Sequence, residues 1–338
     1  MFKSLLVTIL SVAIQATTTS KSIKIGYRHA FFRSGTGGLA DGVESRRVFG
    51  GVTVELNEFP AVCALLDRYW SARCSATIIK ENWAITAAHC ISRRLAYVKY
   101  NTRRPSSTDG DVTPIHYLYR HPEYAVRQTD EGQGLDVTML HNDVGLVRTR
   151  NKMRLTFKPQ EDVLTGLRRY NPLELNHKKI KVLGFGRTER TLLGEELFSV
   201  DLMLVGCERD RWYHCMCAVA GEAESRGVCS GDSGGPVLYE GVQIGVTSMG
   251  PVECAEARPP PVGVTSVFTT LRQYADVINA TITDMETALR MRKISAATQT
   301  QIDALLLERV YSEMSEGHPT LLQCGCMGIF ARSEMWTS

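Results

Sequence analysis

The chain has 338 residues, of which 43% are hydrophobic and 22% are charged, and its formal net charge is +3. This composition can supply a hydrophobic core, and the length exceeds that of one average domain, so one large domain or two fused domains are expected. The small charge, without a dense block of Lys or Arg, argues against a nucleic-acid-binding protein.

The N-terminus has the pattern of an export signal. Lys3 precedes an apolar run over residues 5–16, and polar residues follow at 17–20. The run is shorter than the ~20 residues that a helix needs to span a bilayer, and no other segment comes closer. The sequence therefore predicts a signal peptide over residues 1–16 and a secreted, extracellular protein with no membrane segment.

From residue 48 to about 270 the chain consists of short β-rich runs separated by turn residues, a pattern typical of all-β barrels and sandwiches. The predicted strands are 61–66, 75–79, 83–87, 144–148, 180–184, 235–239, 242–247 and 262–267. From 269 to 316 the apolar residues recur at intervals of three and four, which predicts helix. Residues 285–316 are expected to form one amphipathic helix, either a surface appendage or a docking element for a partner.

The ten cysteines of an exported chain are expected to be mostly oxidised. Their spacing alone does not fix the pairing. It disfavours a zinc site, because one residue separates Cys215 from Cys217 and Cys324 from Cys326, and no histidine pair matches them. Neither a metal nor an organic cofactor is expected.

Four short segments contain the residues that nucleophilic catalysis requires. Residues 47–51 are Arg-Val-Phe-Gly-Gly, 86–90 are Thr-Ala-Ala-His-Cys, 142–146 are Asn-Asp-Val-Gly-Leu, and 231–236 are Gly-Asp-Ser-Gly-Gly-Pro. A serine hydroxyl is a poor nucleophile at neutral pH, so it needs a histidine base, an acid that orients the base, and donors for the oxyanion. These segments offer all of those parts.

In content and in the order His, Asp, Ser, the segments resemble the activation junction and the three catalytic boxes of the chymotrypsin-like (trypsin-fold) serine proteases. The resemblance covers residues 48–283 and leaves 284–338 as a C-terminal extension, expected to be partly helical. It implies an all-β fold of two six-stranded antiparallel β-barrels, with the active site in the cleft between them and a C-terminal helix. It also implies a serine endopeptidase that acts on protein or peptide substrates and has a protein inhibitor as a partner.

The resemblance assigns a role to each residue of the site. His89 is expected to be the general base, Asp143 to orient it, and Ser233 to be the nucleophile. The backbone N–H groups of Gly231 and Ser233 are expected to form the oxyanion hole. Ser248 matches the serine that hydrogen-bonds the orienting aspartate.

The resemblance also implies three disulfides, Cys74–Cys90, Cys207–Cys217 and Cys229–Cys254. Cys215 remains a rival partner for Cys207. The cysteines without a partner in the family are Cys63, Cys215, Cys324 and Cys326. They either pair outside the family pattern or stay free thiols.

Residues 17–47 resemble a propeptide that ends in a pair of arginines. Cleavage after Arg47 would free the amine of Val48, which in the family pairs with the aspartate before the nucleophile, here Asp232. The resemblance therefore implies a zymogen and a trypsin-like protease as its activator.

The resemblance also implies which residues line the substrate pocket: Gly227, Val228, Ser230, Ser248, Met249, Gly250 and Val262. Gly227 lies at the expected floor and supplies no carboxylate for an Arg or Lys side chain. Val228 and Val262 are expected to project branched apolar groups into the pocket, while Gly250 leaves one wall open. The sequence therefore predicts cleavage after medium or small aliphatic residues, with Phe or Tyr second.

Two other functions are compatible with parts of the sequence. Residues 231–235 also fit the nucleophile elbow of α/β-hydrolases, with Asp303 and His318 as later triad members. That fold needs a helix directly after Ser233, whereas the sequence there predicts a hairpin. The second alternative is a non-catalytic secreted protease homologue that acts as a binding or regulatory module.

Asn279, Ala280 and Thr281 form an N-glycosylation acceptor. The acceptor lies in the predicted final helix of an exported chain. Asn279 is therefore the expected site of a glycan.

Overall fold

The computed structural model describes residues 51–130, 135–188, 194–207, 210–221, 224–251, 260–283 and 292–295. The predicted signal peptide and propeptide lie outside the described residues, as do Arg47, Val48, Cys254, Cys324 and Cys326. No helix among the described residues has both the length and the apolar character that crossing a membrane requires.

In chain order the strands are β1 (Val52–Thr53), β2 (Val62–Asp67), β3 (Ala72–Lys80), β4 (Trp83–Thr86), β5 (Leu95–Tyr100), β6 (Asp111–Arg120), β7 (Ala125–Asp130), β8 (Leu135–His141), β9 (Gly145–Thr149), β10 (Lys179–Gly184), β11 (Phe198–Val205), β12 (Cys215–Val219), β13 (Pro236–Tyr239), β14 (Val242–Met249), β15 (Thr265–Thr270) and β16 (Arg292–Ser295). The α-helices are α1 (Val163–Gly166) and α2 (Ala275–Thr283).

The strands form two closed antiparallel barrels of six strands each. In the first barrel the strand order is β6-β5-β2-β3-β4-β9, and β6 closes the ring by pairing with β9. In the second barrel the order is β11-β10-β13-β14-β15-β12, closed by the pairing of β11 with β12. The predicted fold of two six-stranded antiparallel barrels is confirmed.

Strand β2 shows why the barrels pack against each other. All of its residues are buried, although successive side chains of a strand point to opposite faces. Cys63 and Leu65 face the core of the first barrel. Val62, Ala64 and Leu66 lie in a second cluster with side chains of β10 and β13. The strand is apolar on both faces because one face fills a barrel and the other forms the interface.

Helix α2 is the expected short C-terminal helix. Ala275, Ile278 and Thr281, at intervals of three, form its buried face. Ile278 packs in a cluster that includes Trp83 of the first barrel. The helix thus joins the end of the second barrel to the first.

The C-terminal extension differs from the sequence expectation where it is described. Residues 292–295 form strand β16, which pairs antiparallel with β6, from Arg292 opposite Arg120 to Ser295 opposite Tyr117. The prediction of one helix over 285–316 is therefore wrong at these four residues. These residues, Arg-Lys-Ile-Ser, contain a single apolar side chain, so no apolar spacing favours a helix at this point, and their backbone pairs with β6 instead.

The last predicted strand, 262–267, is displaced to Thr265–Thr270. A turn precedes it, in which the N–H of Val264 donates to the carbonyl of Pro261 (3.2 Å). Gly263 has a φ of +78°, a conformation that glycine adopts without a steric penalty.

Candidate active site

His89 lies in a single 3₁₀ turn, Ala88–Cys90, that directly follows strand β4. Cys90 of this turn forms a disulfide with Cys74 of β3. The turn is therefore covalently fixed to the barrel next to the histidine. The His89 side chain remains 32% exposed, so its ring is open to the cleft.

Asp143 lies between β8 and β9, and its residue is only 1% exposed. One carboxylate oxygen accepts the backbone N–H of His89 at 2.9 Å, and the other lies 2.8 Å from the ring Nδ1. Because the same carboxylate binds the backbone and the ring, it fixes the position of the imidazole as well as its orientation.

Asn142 holds the aspartate loop in place. Its φ of +52° lies in the left-handed region, which Asn tolerates better than most residues. Its side-chain oxygen accepts the hydroxyl of Tyr274 at 2.8 Å, and its amide donates to the carbonyl of Glu123 at 3.1 Å.

The charges of His89 and Asp143 stabilise each other. Burial alone would lower the pKa of His89, but the attraction of the Asp143 carboxylate and the hydrogen bond to it raise that pKa above its usual value. Burial alone would raise the pKa of Asp143, but His89 lowers it, with help from the hydroxyl of Ser248. Ser248 is buried and also lies 2.8 Å from the hydroxyl of Thr269.

Ser233 lies in a tight turn between Cys229 and β13. The N–H of Asp232 donates to the carbonyl of Cys229 (3.0 Å), and the N–H of Gly235 donates to the carbonyl of Asp232 (2.8 Å). A hairpin of β13 and β14 follows, so the helix that a nucleophile elbow of α/β-hydrolases requires is absent at this described position, and that alternative is wrong.

The hydroxyl of Ser233 makes no hydrogen bond to His89 within the described part of the chain, whereas the His89–Asp143 pair is fully formed. Hydrogen bonds to a nucleophile are often long before substrate binds and shorten when it does. No described residue accepts the N–H of Gly231 or Ser233, and both donors are available to an incoming oxygen. Gly231 has a φ of +98°, which a glycine adopts readily.

Asp232 is 1% exposed and is not among the residues that line the cleft. Its two carboxylate oxygens accept the N–H of Gly186 (2.9 Å) and of Cys229 (2.8 Å). Burial nevertheless raises its pKa to about 6, against these two hydrogen bonds. None of the described residues places a cation beside it, so its negative charge lacks a partner in this part of the structure.

A cleft of about 590 Å³ opens beside His89 and Asp143. The other residues that line it are Tyr124, Val126, Gln128, Val137, Leu140, Trp212, Ser248, Met249, Gly250, Pro251, Val264, Thr265 and Val267. One wall is the β7–β8 hairpin, which was not predicted from the sequence. The apolar residues at 124, 126, 137 and 140 are the sequence pattern from which it could have been found.

Trp212 connects the hairpin to the second barrel. Its indole N–H donates to the carbonyl of Val137 at 3.1 Å. Beside it, the N–H of Leu140 donates to the carbonyl of Arg211 (3.3 Å), and the N–H of Tyr213 donates to the carbonyl of Leu140 (3.1 Å). The hairpin wall of the cleft is therefore attached to the segment that leads into β12 of the second barrel.

The predicted substrate pocket needs two corrections. Val262 is 60% exposed, because the turn before β15 directs it outwards, and Val264 lines the cleft instead. Val228 does not project into the cleft but packs in the core of the second barrel. Gly250 lies against it, since a Cβ on Gly250 would be 1.9 Å from the Val228 carbonyl oxygen.

Of the other residues predicted for the pocket, Ser248 and Gly250 line the cleft, whereas Gly227 and Ser230 are not among its lining residues. Gly227 is buried, and a Cβ there would lie 3.5 Å from Pro251 and from the hydroxyl of Ser266. Ser230 is exposed, and Met249 lines the cleft.

The cysteines divide into bonded and free groups. Cys74–Cys90 and Cys207–Cys217 are disulfides, so the rival pairing of Cys207 with Cys215 is absent. Cys229 is also disulfide-bonded, and Cys254 lies outside the described residues. Cys63 and Cys215 are free thiols. Burial raises the pKa of both, that of Cys215 to about 12, so neither thiol is a thiolate at neutral pH.

Comparison with known proteins gives consistent results. Residues 48–278 match the family model described as Trypsin. Venom serine protease 34 of Apis mellifera is 29% identical, over 62% of this chain and 54% of its own length. Chymotrypsin-like elastase family member 1 of Rattus norvegicus is 27% identical, over 70% of this chain and 90% of its own length. The solved structure of neuropsin, a serine protease of mouse brain, aligns with a TM-score of 0.54 and 20% identity, over 69% of this chain and 98% of that one, which supports the fold alone.

Proposed function

Because this chain belongs to the trypsin family of serine proteases, we propose that it is a secreted serine endopeptidase with His89, Asp143 and Ser233 as its catalytic residues. The observation that carries the proposal is that the Asp143 carboxylate accepts hydrogen bonds from both the backbone N–H and the ring Nδ1 of His89. A buried carboxylate bound to both the ring and the backbone of a histidine is what a general base needs for its orientation.

The geometry supports a defined proton path. With its Nδ1–H donated to Asp143, His89 exposes the lone pair of Nε2 towards the cleft. Nε2 takes the proton from the hydroxyl of Ser233 as the serine oxygen attacks the peptide carbonyl. The N–H groups of Gly231 and Ser233 bind the resulting oxyanion. His89 then gives the proton to the leaving amine, and a water, deprotonated by the same ring, hydrolyses the ester on Ser233.

The raised pKa of His89 supports this role. A base that accepts a proton more readily lowers the barrier to the attack, provided that it is still neutral at the working pH. The Asp143 carboxylate supplies this effect by stabilising the imidazolium.

The decisive experiment labels the nucleophile. The chain cleaved after Arg47 is treated with a serine-reactive peptide phosphonate, and the modified residue is located by mass spectrometry. We expect Ser233 to be labelled and Ser233→Ala to be unlabelled and inactive. A cleaved and folded wild-type chain that takes no label would instead support the non-catalytic binding or regulatory module.

We also propose that the chain is a zymogen, activated by a trypsin-like protease that cuts after Arg47. The support is the buried carboxylate of Asp232, which has no cation beside it among the described residues and whose pKa burial raises. A new amine on Val48 is the cation that the family supplies at this place. Because Gly186 and Cys229 donate to the same carboxylate, its pairing would order the loops around the oxyanion hole.

The proposed specificity is for an aliphatic residue before the scissile bond. Gly227 supplies no carboxylate, so an Arg or Lys side chain would stay unpaired there, at a cost of several kcal/mol. A Cβ on Gly227 would lie 3.5 Å from the ring of Pro251 and from the hydroxyl of Ser266, so these two groups adjoin the expected pocket floor. Val262 lies outside the pocket, so the proposed aliphatic preference is supported by the missing carboxylate at Gly227 and by the apolar ring of Pro251, which lines the cleft.

We further propose that the chain is secreted and that Asn279 carries a glycan. The disulfides of the first and second barrels are typical of an oxidising compartment. Asn279 is exposed on α2, whereas the hydroxyl of Thr281 donates to the carbonyl of Val277 at 2.6 Å. Folding would bury Thr281 of the acceptor, so a glycan has to be attached to Asn279 before α2 forms.

A further inference from the structure

Ser75 of strand β3 is 0% exposed and lies directly behind the serine turn. Its hydroxyl donates a hydrogen bond to the carbonyl of Gly231 (2.8 Å) and accepts one from the N–H of Phe185 (3.0 Å). Its own backbone N–H donates to the carbonyl of Ser233 at 2.9 Å. One buried residue therefore holds two carbonyls of the turn that contains the proposed nucleophile.

These two carbonyls belong to the residues whose N–H groups are the proposed oxyanion donors. A fixed carbonyl limits the rotation of its peptide group, and so limits the directions open to the neighbouring N–H groups. Gly231 needs such a restraint more than other residues, because without a Cβ its backbone is the least confined. The bond from Ser75 supplies the restraint from the side away from the cleft.

The same hydroxyl reaches a second loop. Phe185, which donates to it, directly precedes Gly186, and the N–H of Gly186 binds the carboxylate of Asp232. The serine turn is thus connected to the 184–186 loop at two points, through Ser75 and through Asp232. Loss of one connection would loosen the turn while the other keeps the loop in place.

We propose that Ser75 is a positioning residue for the oxyanion hole, an inference that rests on the proposed function. Ser75 does not touch the cleft and acts only through the backbone of Gly231 and Ser233. Preorganised donors act most strongly on the charge that develops in the transition state. Removal of the hydroxyl should therefore lower kcat and leave KM nearly unchanged.

Thr77 provides the matched control. It lies two residues further along β3, is also 0% exposed, and its hydroxyl has no hydrogen-bond partner in the described structure. Thr77→Val removes a buried hydroxyl from the same strand and keeps the shape of the side chain. It tests whether the loss of any buried hydroxyl in β3 affects turnover.

The experiment compares full chains cleaved after Arg47, with kcat and KM measured on one peptide substrate and the thermal unfolding midpoint on each variant. For Ser75→Ala we expect kcat to fall about tenfold, less than the ~10²- to 10³-fold that the loss of an oxyanion donor costs. KM should stay within about twofold. Thr77→Val should keep the wild-type kcat. Ser75→Gly, which removes the same hydroxyl, serves as the second variant if Ser75→Ala does not fold.

The outcomes separate this inference from the proposed function. A cleaved wild type without turnover would overturn the proposed function and the role of Ser75 with it. An active wild type with an unchanged kcat in Ser75→Ala would overturn the role of Ser75 alone. An equal loss in Thr77→Val, a loss confined to KM, or failure of both Ser75 variants to fold would also overturn it.

Discussion

Gly234 and Thr86 lie so close that a Cβ on the glycine would stand 1.9 Å from the threonine hydroxyl oxygen. Gly234 directly follows the proposed nucleophile, and Thr86 ends the strand that leads to His89. The N–H of Gly234 also donates to the carbonyl of Thr247 (2.7 Å), beside Ser248. The segments that contain Ser233, His89 and Ser248 therefore meet at Gly234.

Gly234→Ala should destabilise the fold strongly. The alanine would have to keep a φ of +76° and would overlap both Thr86 and the carbonyl of Ser75. We expect a loss of more than about 3 kcal/mol in the free energy of unfolding, measured by urea titration. Gly241→Ala is the control, since Gly241 has nearly the same φ, +78°, with no atom within 4 Å of its Cβ position. It should lose only ~1 kcal/mol, and equal losses in both variants would contradict the steric argument.

Asp143→Asn should leave the fold intact and reduce kcat by about 10⁴-fold. An amide in place of the carboxylate favours the imidazole tautomer that has its proton on Nε2, and it no longer stabilises the imidazolium. Steady-state kinetics on a peptide substrate will check this. Asp162→Asn, at the N-cap of the short helix α1, should leave kcat unchanged. A loss below tenfold in Asp143→Asn would show that another group orients His89.

The pH dependence of the activity follows from the same pair. The base must be neutral, so kcat/KM should fall as the pH falls through the pKa of His89, which lies above the usual value of about 6.5. In Asp143→Asn this acidic limb should move to lower pH, because the charge that raises the pKa is gone. A limb that does not move would mean that it reports another group.

Asp232 should make the folded state of the uncleaved chain more stable in acid than at neutral pH. Its pKa is raised to about 6 in the folded chain, above an unfolded value of about 3.9, so the folded state binds the proton more tightly. Its contribution to stability is therefore fully present below the unfolded pKa and is lost as the pH rises through about 6. Urea titrations of Arg47→Ala, which stays uncleaved, should show this loss between pH 4 and 7, and the double variant with Asp232→Asn should not. Equal pH profiles would contradict the assignment.

The primary specificity can be changed at Gly227. A Cβ there would meet its neighbours at 3.5 Å, which is ordinary contact, so an aspartate side chain can begin there without a clash. A peptide-library digest should show cuts after Leu, Met, Val or Ala for the cleaved wild type. Gly227→Asp should move the preference to Arg or Lys by about two orders of magnitude, since an unpaired buried charge costs ~3–5 kcal/mol. Gly227→Asn, with the same shape and no charge, should not, and a wild type that already prefers Arg or Lys would refute the placement of Gly227.

Those features of the fold and the site that depend on short stretches of sequence could be predicted from the sequence. Most of the predicted strands match observed ones within a few residues, because alternating apolar residues and turn residues act locally. His89 and Asp143 were predicted to meet, and they do. They lie in segments 86–90 and 142–146, and each of these sequences can be recognised without the structure.

Features that depend on distant contacts were not predictable in this way. The wall formed by the β7–β8 hairpin and Trp212 depends on hydrogen bonds between residues about 75 positions apart. The direction of Val262 depends on the turn at Gly263, which moves the start of β15 by three residues. Ser75 has no motif of its own, and its role is visible only when the serine turn lies beside it.

Strand β16 affects whether another copy of the protein can add a strand to the edge of β6. Strand β5 pairs only with the first part of β6, up to Pro114, so β16 occupies the same side of β6 from Tyr117 to Arg120. An uncovered strand edge presents N–H and C=O groups to which a strand of another molecule can add. Residues 292–295 thus cover this part of the β6 edge in the described structure, and a chain shortened before residue 292 would expose it to pairing with a strand of another copy.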